Sequence, residues 1–246
     1  MQTTDSFRKV RPNVRSVTGI YVTRTGRPLE FESQLERDSY LTMDFEPDVN
    51  DIVAQPLRIC NWVPDCRVLS GDRKFLIEVK YESELVAKWL EYSERYASLE
   101  DEVAKEGFRF GVMTDSSVYY PEVHRVGVLK SIKAHRIIRH IPNHITQEIT
   151  ATIQEGRPVT IRELVEKISG DTSYAQRIGT VCRFLYNGPS HVLETPSASL
   201  LDCLVSMPRH ESQYCDARFF CFQELKERIR MHPMRQLKQE AASPIA

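Results

Sequence analysis

The sequence predicts an α/β protein on three observations: a hairpin pattern at 65–80, an amphipathic helical stripe directly after it, and a further strand pattern at 108–114. From about Ser116 onward the pattern turns mostly helical. Asp65-Cys66-Arg67-Val68-Leu69 and Lys74-Phe75-Leu76-Ile77-Glu78-Val79-Lys80 flank Ser70-Gly71-Asp72-Arg73, a short polar break with glycine, which is a hairpin signature. Strand side chains alternate, so Phe75, Ile77 and Val79 share one face while Leu76, Glu78 and Lys80 share the other. Leu85, Trp89, Tyr92, Tyr96, Leu99 and Val103 then step by four and three along one face of a helix from about Glu84 to Lys105, a core stripe. Gly107 closes that helix, and 108–114 alternates as a strand.

With the usual pairing across the turn, Asp65 comes level with the Glu78/Lys80 end of the second strand, and two carboxylates converge beside a lysine. Hard divalent cations such as Mg²⁺ take oxygen ligands, often one or two protein carboxylates, with water and phosphate oxygens completing the shell. A neighbouring lysine orients or deprotonates a water and offsets charge on a pentavalent phosphate. Asp65, Glu78 and Lys80 therefore have the composition of a metal-dependent nuclease site. A strand ending in Glu-Val-Lys and a Pro-Asp turn are also ordinary structural features.

Upstream, Phe31-Glu32-Ser33-Gln34-Leu35-Glu36 opens a segment without Gly or Pro that runs to about Phe45 and stops before Pro47, the pattern of a helix. Glu32 and Glu36 lie four apart and would share a helical face, so a third carboxylate can turn toward the hairpin. The alternative role for both is a solvated helix start favoured by the macrodipole. Gln55, before Pro56 and a strand expected over 57–62, is a candidate contact to DNA or a metal-held water, or a structural polar contact.

The ordered landmarks 31–36, Phe45-Glu46-Pro47-Asp48-Val49, Gln55-Pro56, Pro64-Asp65 and Ile77-Glu78-Val79-Lys80 resemble the TnsA family, the endonuclease subunits of heteromeric cut-and-paste transposases. The resemblance covers roughly residues 20 to 115. It implies a restriction-endonuclease-like fold with a PD-(D/E)xK site that cuts the 5′ ends of a transposon, while a TnsB-type recombinase cuts the 3′ ends. By position, it implies Glu36 as the helical carboxylate, Asp65 and Glu78 as ligands of Mg²⁺, for which Mn²⁺ substitutes, and Lys80 as the lysine. The best-known member of that family carries Gln at the position of Glu78, so this chain is nearer the general nuclease pattern. The resemblance further implies transposon-end duplex DNA and a TnsC-type ATP-dependent regulator as partners, and a bacterial cytoplasmic location. Within the enzyme class, the alternative is a stand-alone restriction-type or repair nuclease using the same residues. Outside it, the alternative is a catalytically silent DNA-binding or scaffold subunit.

Composition is compatible with such a chain. At 246 residues and 41% hydrophobic it can bury one large core or two modest ones, and two domains are expected after a basic arm: residues 1–27, 28–115 and 116–246. No apolar run approaches the length needed to cross a bilayer. The six cysteines form no Cys-x-x-Cys pair and read as reduced packing thiols. Net charge is only −1, but Arg8, Lys9, Arg11, Arg15, Arg24 and Arg27 stand against Asp5 alone in the first 27 residues. Such an arm neutralises phosphates and makes binding salt-sensitive, unless it is merely a solvated tail.

In the second half, 145–155, 160–168 and 173–186 read as helices, and 187–193 as a wing. Thr160-Ile161-Arg162-Glu163-Leu164 followed by Ser173-Tyr174-Ala175-Gln176-Arg177-Ile178 has a helix-turn-helix layout within a winged-helix-like domain, with Arg177 and Arg183 as candidate DNA contacts. The alternative is a domain that faces the regulator rather than DNA. A final helix from Cys221 toward Lys238 carries Lys226, Arg228, Arg230, Arg235 and Lys238.

Overall fold

A two-residue loop sets the centre of the molecule. In the computed structural model, which describes residues 17–119, 122–135, 140–170, 172–187, 191–208 and 214–232, Gly71 takes φ 56° and closes a tight hairpin with Ser70 opposite Arg73 and Cys66 opposite Ile77. A left-handed φ is open to glycine without steric cost. Ahead of this hairpin come β1 (Gly19–Val22), β2 (Pro28–Phe31), α1 (Gln34–Asp44) and β3 (Val49–Ala54). The hairpin itself is β4 (Cys66–Ser70) and β5 (Arg73–Lys80). After it come α2 (Glu82–Ala87), α3 (Trp89–Lys105) and β6 (Arg109–Thr114). The central sheet runs β3-β4-β5-β6, antiparallel except for the parallel β5–β6 pair that the α2–α3 crossover makes possible.

Both faces of this sheet are covered, which explains why β5 reads as a nearly continuous apolar run. Phe75, Ile77 and Val79 face one cluster with Leu35, Tyr40 and Met43 of α1. Leu76, with Phe110 and Val112, faces a second cluster holding the whole stripe Leu85, Trp89, Tyr92, Tyr96, Leu99 and Val103. The alternation expected from sequence therefore separates two cores. At Gly111 of β6 a Cβ would lie 2.6 Å from the Phe219 ring and 2.9 Å from Ile77 Cδ1, so glycine lets the C-terminal segment press onto the sheet. Phe220 then bridges Val112.

The second half comprises α4 (Asp115–Tyr119), α5 (Arg125–His135), α6 (Asn143–Gln154), β7 (Val159–Thr160), α7 (Ile161–Lys167), α8 (Tyr174–Asn187), β8 (Val192–Glu194), β9 (Leu204–Ser206) and α9 (Phe222–Arg230). The three helices expected over 145–186 match α6, α7 and α8, and Thr160 caps α7 in a reciprocal box with Glu163. The strand ahead of α7 and the two after α8 form a small sheet of order β7-β9-β8. Helix α5, which no motif announced, packs against both α1 and α8. One apolar cluster runs without interruption from Tyr21 through the α5 residues Val128, Leu129 and Ile132 to Val181, Phe184 and Val205. Among the described residues no helix is long and apolar enough to cross a membrane.

Several expectations are corrected. Phe31 and Glu32 are not helical: β2 ends at Phe31, and Ser33, extended at φ −146° and ψ 160°, is the N-cap of α1. Its hydroxyl accepts from Glu36 N, which fixes the helix start at Gln34, three residues beyond the expected one. The strand before the hairpin is 49–54, not 57–62. After Pro56 the chain folds into a tight turn in which Ile59 and Trp62 exchange backbone hydrogen bonds of 2.9 Å around Cys60 at φ 51°. The single helix expected from Glu84 is two, broken at Lys88 (φ −118°, ψ 27°). The β1–β2 hairpin extends across residues 27 and 28, where the arm was expected to end.

The halves are joined by buried charge. Glu46 Oε1 accepts from Arg125 at 2.7 Å and from Arg218 Nε at 2.6 Å. Glu122 bridges the same two arginines at 3.3 and 3.2 Å, and Arg125 also donates to Leu193 O. Burial pushes the Glu122 carboxyl up, but Arg125 and Arg218 outweigh it and hold the group below its usual range. Removing one member of a buried ion network leaves its partners desolvated and uncompensated. Arg125→Ala is expected to cost about 3 kcal/mol in urea unfolding, and a loss under about 1 kcal/mol would mean that the network contributes little net stability.

Candidate active site at the end of the hairpin

The register places Asp65, immediately before β4, level with Glu78. Its carboxylate closes back on the opposite strand, Oδ2 accepting from Val79 N at 2.7 Å. Its backbone carbonyl accepts from Gln55 N at 3.0 Å and from the Tyr40 hydroxyl at 3.1 Å. Lys80 Nζ lies 2.9 Å from Glu78 Oε1 and 3.7 Å from Asp65 Oδ2. Asp65, Glu78 and Lys80 are thus brought together as expected, the lysine between the two acids. Glu78 is nearly sealed, with 4% of its side chain exposed, whereas Asp65 (18%) and Lys80 (22%) open toward solvent.

Glu36 lies alongside but is otherwise engaged. Its Oε2 accepts from Glu32 N at 2.8 Å and its Oε1 from the Ser33 hydroxyl at 3.1 Å, which completes the cap of α1. Burial raises its pKa, and the Glu32 charge adds to the shift against the hydrogen bonds and Lys80. Glu32 sits before the cap, where Gln55 Nε2 reaches its Oε1 at 3.5 Å. Gln55 is buried and held at φ 42°, a left-handed conformation unusual for a side-chain-bearing residue and often found at functional sites.

Charge crowding is the electrostatic signature of this corner. Burial and the charge of Glu78, reinforced by Glu36 and opposed by Lys80 and the Val79 N–H, push the Asp65 carboxyl up to about 8. Burial alone would lower Lys80, yet Asp65 and Glu78 raise it well above the usual lysine range, so it is a firm ammonium. A site with more carboxylate charge than its one ammonium offsets suits an added cation, and the Asp65–Glu78 pair meets the one- or two-carboxylate requirement of Mg²⁺. Among the described residues no three His, Cys, Asp or Glu side chains are close enough to hold an ion between them. The residues that could hold one are Asp65 and Glu78, with Glu36 beside them.

Sequence reasoning did not single out Trp62, Tyr40 or Arg95. Trp62 Nε1 donates to Glu78 Oε2 at 2.6 Å, and Arg95 on α3 approaches Oε1 at 3.8 Å. The only signal for Trp62 was a tryptophan in a polar-flanked segment just before Pro64-Asp65.

The remaining candidates are spread out. Arg24 approaches Asp44 at 3.8 Å and Arg27 pairs with Asp51 at 3.2 Å, so both have partners within the fold. Arg8, Lys9, Arg11 and Arg15 lie outside the described residues, as do 188–190 of the wing and Arg235 and Lys238 of the tail. Arg177, near the start of α8, lies 5.9 Å from the Tyr174 ring, and Arg183 is six residues further along that helix. The chain matches no protein-family model and no curated protein.

A raised carboxyl pKa favours the fold while the group is protonated. That contribution is fully present below the unfolded value near 3.9 and is lost as pH rises through about 8. Asp65→Asn, which keeps the neutral shape, is expected to be more stable than wild type without added cation at pH 8, by about 2 kcal/mol. In thermal unfolding the gain should shrink toward pH 4. A gain independent of pH would show that Asp65 is not held in this environment.

Proposed function

We propose that this chain is a metal-dependent DNA endonuclease with a restriction-endonuclease-like N-terminal region and a winged-helix-like C-terminal region, acting as the 5′-end-cutting subunit of a heteromeric transposase. The observation that carries this reading is the convergence of Asp65, Glu78 and Lys80, with Lys80 Nζ 2.9 Å and 3.7 Å from the two carboxylates at the open end of a sheet. The element order α1, β3, β4, β5, α2–α3, β6, with a parallel β5–β6 pair, is that expected of the nuclease fold. Three helices with a small sheet, one strand before α7 and two after α8, are likewise the parts of a winged helix. The TnsA resemblance in the sequence supplies the narrower reading: transposon-end DNA as substrate, a TnsB-type recombinase and a TnsC-type regulator as partners.

Asp65 and Glu78 are the residues that would hold Mg²⁺ or Mn²⁺. Once bound, such a cation would supply Lewis acidity toward a phosphodiester oxygen. Lys80, held as an ammonium, donates hydrogen bonds to the attacking water and offsets charge developing on the phosphate. Its high pKa favours this role over proton abstraction in the cation-free state. The Val79 N–H and the Gln55 and Tyr40 donors to the Asp65 carbonyl hold the acid's backbone and carboxylate in place. Hydrolysis by water needs no covalent intermediate.

Labelled transposon-end DNA incubated with Mg²⁺ or Mn²⁺, the recombinase and the ATPase is expected to be cut at the 5′ ends. Cleavage should be abolished by Asp65→Ala and fall about 10²–10³-fold in Lys80→Ala. Cleavage of plain duplex by the isolated chain would instead indicate a stand-alone nuclease. No cleavage under any of these conditions would indicate a silent scaffold subunit.

A further inference from the structure

We propose that Trp62 is a positioning residue for the Glu78 carboxylate: its indole N–H pins Oε2, so that Oε1 is the oxygen presented to Lys80 and to a divalent cation. This inference rests on the metal-site reading above and adds to it a residue that no motif marked. The Trp62 Nε1 to Glu78 Oε2 distance is 2.6 Å, short for an N–H donor. An indole N–H can only donate and does not titrate, so this bond has a fixed direction at every working pH. Glu78 Oε1 is left with Lys80 at 2.9 Å and the guanidinium of Arg95 at 3.8 Å. The two oxygens therefore have separate duties.

The indole is itself fixed. Ile59 and Trp62 exchange two backbone hydrogen bonds of 2.9 Å across the tight turn at Cys60, and the Trp62 ring meets Phe110 edge-on at 5.6 Å and 74°. Only 3% of Trp62 is exposed. The 55–65 segment thus carries an anchored donor to the carboxylate on the neighbouring strand. Groups that hydrogen-bond a metal-ligating side chain orient it, and losing one weakens metal affinity about 10- to 100-fold.

The test is isothermal titration of the full chain with Mn²⁺, comparing wild type with Trp62→Phe, which keeps a ring against Phe110 and removes the N–H. Wild type is expected to bind, and the variant to bind about 10- to 100-fold more weakly. An unchanged Mn²⁺ dissociation constant, even with a lowered melting temperature, would reduce Trp62 to a packing residue and overturn the inference while leaving the metal site standing. Absence of Mn²⁺ binding in wild type would remove the metal-site reading and this inference together. Should Trp62→Phe fail to fold, Trp89→Phe leaves Trp62 as the sole tryptophan of the two. Its emission should then change saturably with Mg²⁺ at the midpoint of a Mg²⁺ calorimetric titration, and silence at a Mg²⁺ concentration where that calorimetry shows binding would overturn the inference.

Discussion

The register of the β4–β5 hairpin is the constraint on which the rest of the molecule depends. Because the loop is only Gly71-Asp72 and Ser70 faces Arg73, every later pairing follows, and Asp65 must end beside Glu78. A slip of one residue would send Phe75, Ile77 and Val79 to the face now occupied by Leu76 and Glu78. It would open both cores and break the acid pair at once. Burial of the two faces against α1 and α3 therefore fixes the chemistry of the site as firmly as it fixes the fold.

That arrangement concentrates negative charge where water is scarce. Lys80 offsets part of it, and the remainder appears as a carboxyl pushed up to about 8 at Asp65. That crowding of Asp65 and Glu78 is the physical support for the metal site proposed above. Elsewhere the fold balances its buried ions within itself. Glu46, Glu122, Arg125 and Arg218 neutralise one another and tie the loop after α1 to the helical half and to the segment that crosses β6. Asp38, buried on α1, is likewise paired with Arg37 and Lys130. Asp65 and Glu78 share one lysine between them, with Arg95 only at the rim.

Much of this was legible in the sequence. Period-two alternation in 74–80 identified the two faces of β5, and period-3.6 spacing from Leu85 to Val103 identified the helical stripe that covers one of them, though not its break at Lys88, because both signals arise from neighbours close in the chain. The start of α1 was misread because Glu32 and Glu36 look alike in a helical pattern. The hydroxyl of Ser33 decided between them by capping the helix after Glu32. The strand expected over 57–62 failed for a similar local reason: β3 ends at Ala54, ahead of the left-handed Gln55, and the chain turns back at Cys60. Helix α5 was missed because its apolar residues Val126, Val128, Leu129 and Ile132 span only about two turns, a short stripe whose burial comes from packing on the distant α1 and α8.

The sequence by itself determined the hairpin, the identity of the two acids and the lysine, and the sidedness of the sheet, because each is written in short-range periodicity and turn chemistry. Tertiary structure alone decided what surrounds them. It made Glu36 a capping group as well as a neighbour of the site, gave Arg24 and Arg27 acidic partners, and delivered Trp62 to Glu78 across sixteen positions. Those outcomes depend on which distant groups share a low-dielectric space, and a pattern read along the chain carries no record of that proximity.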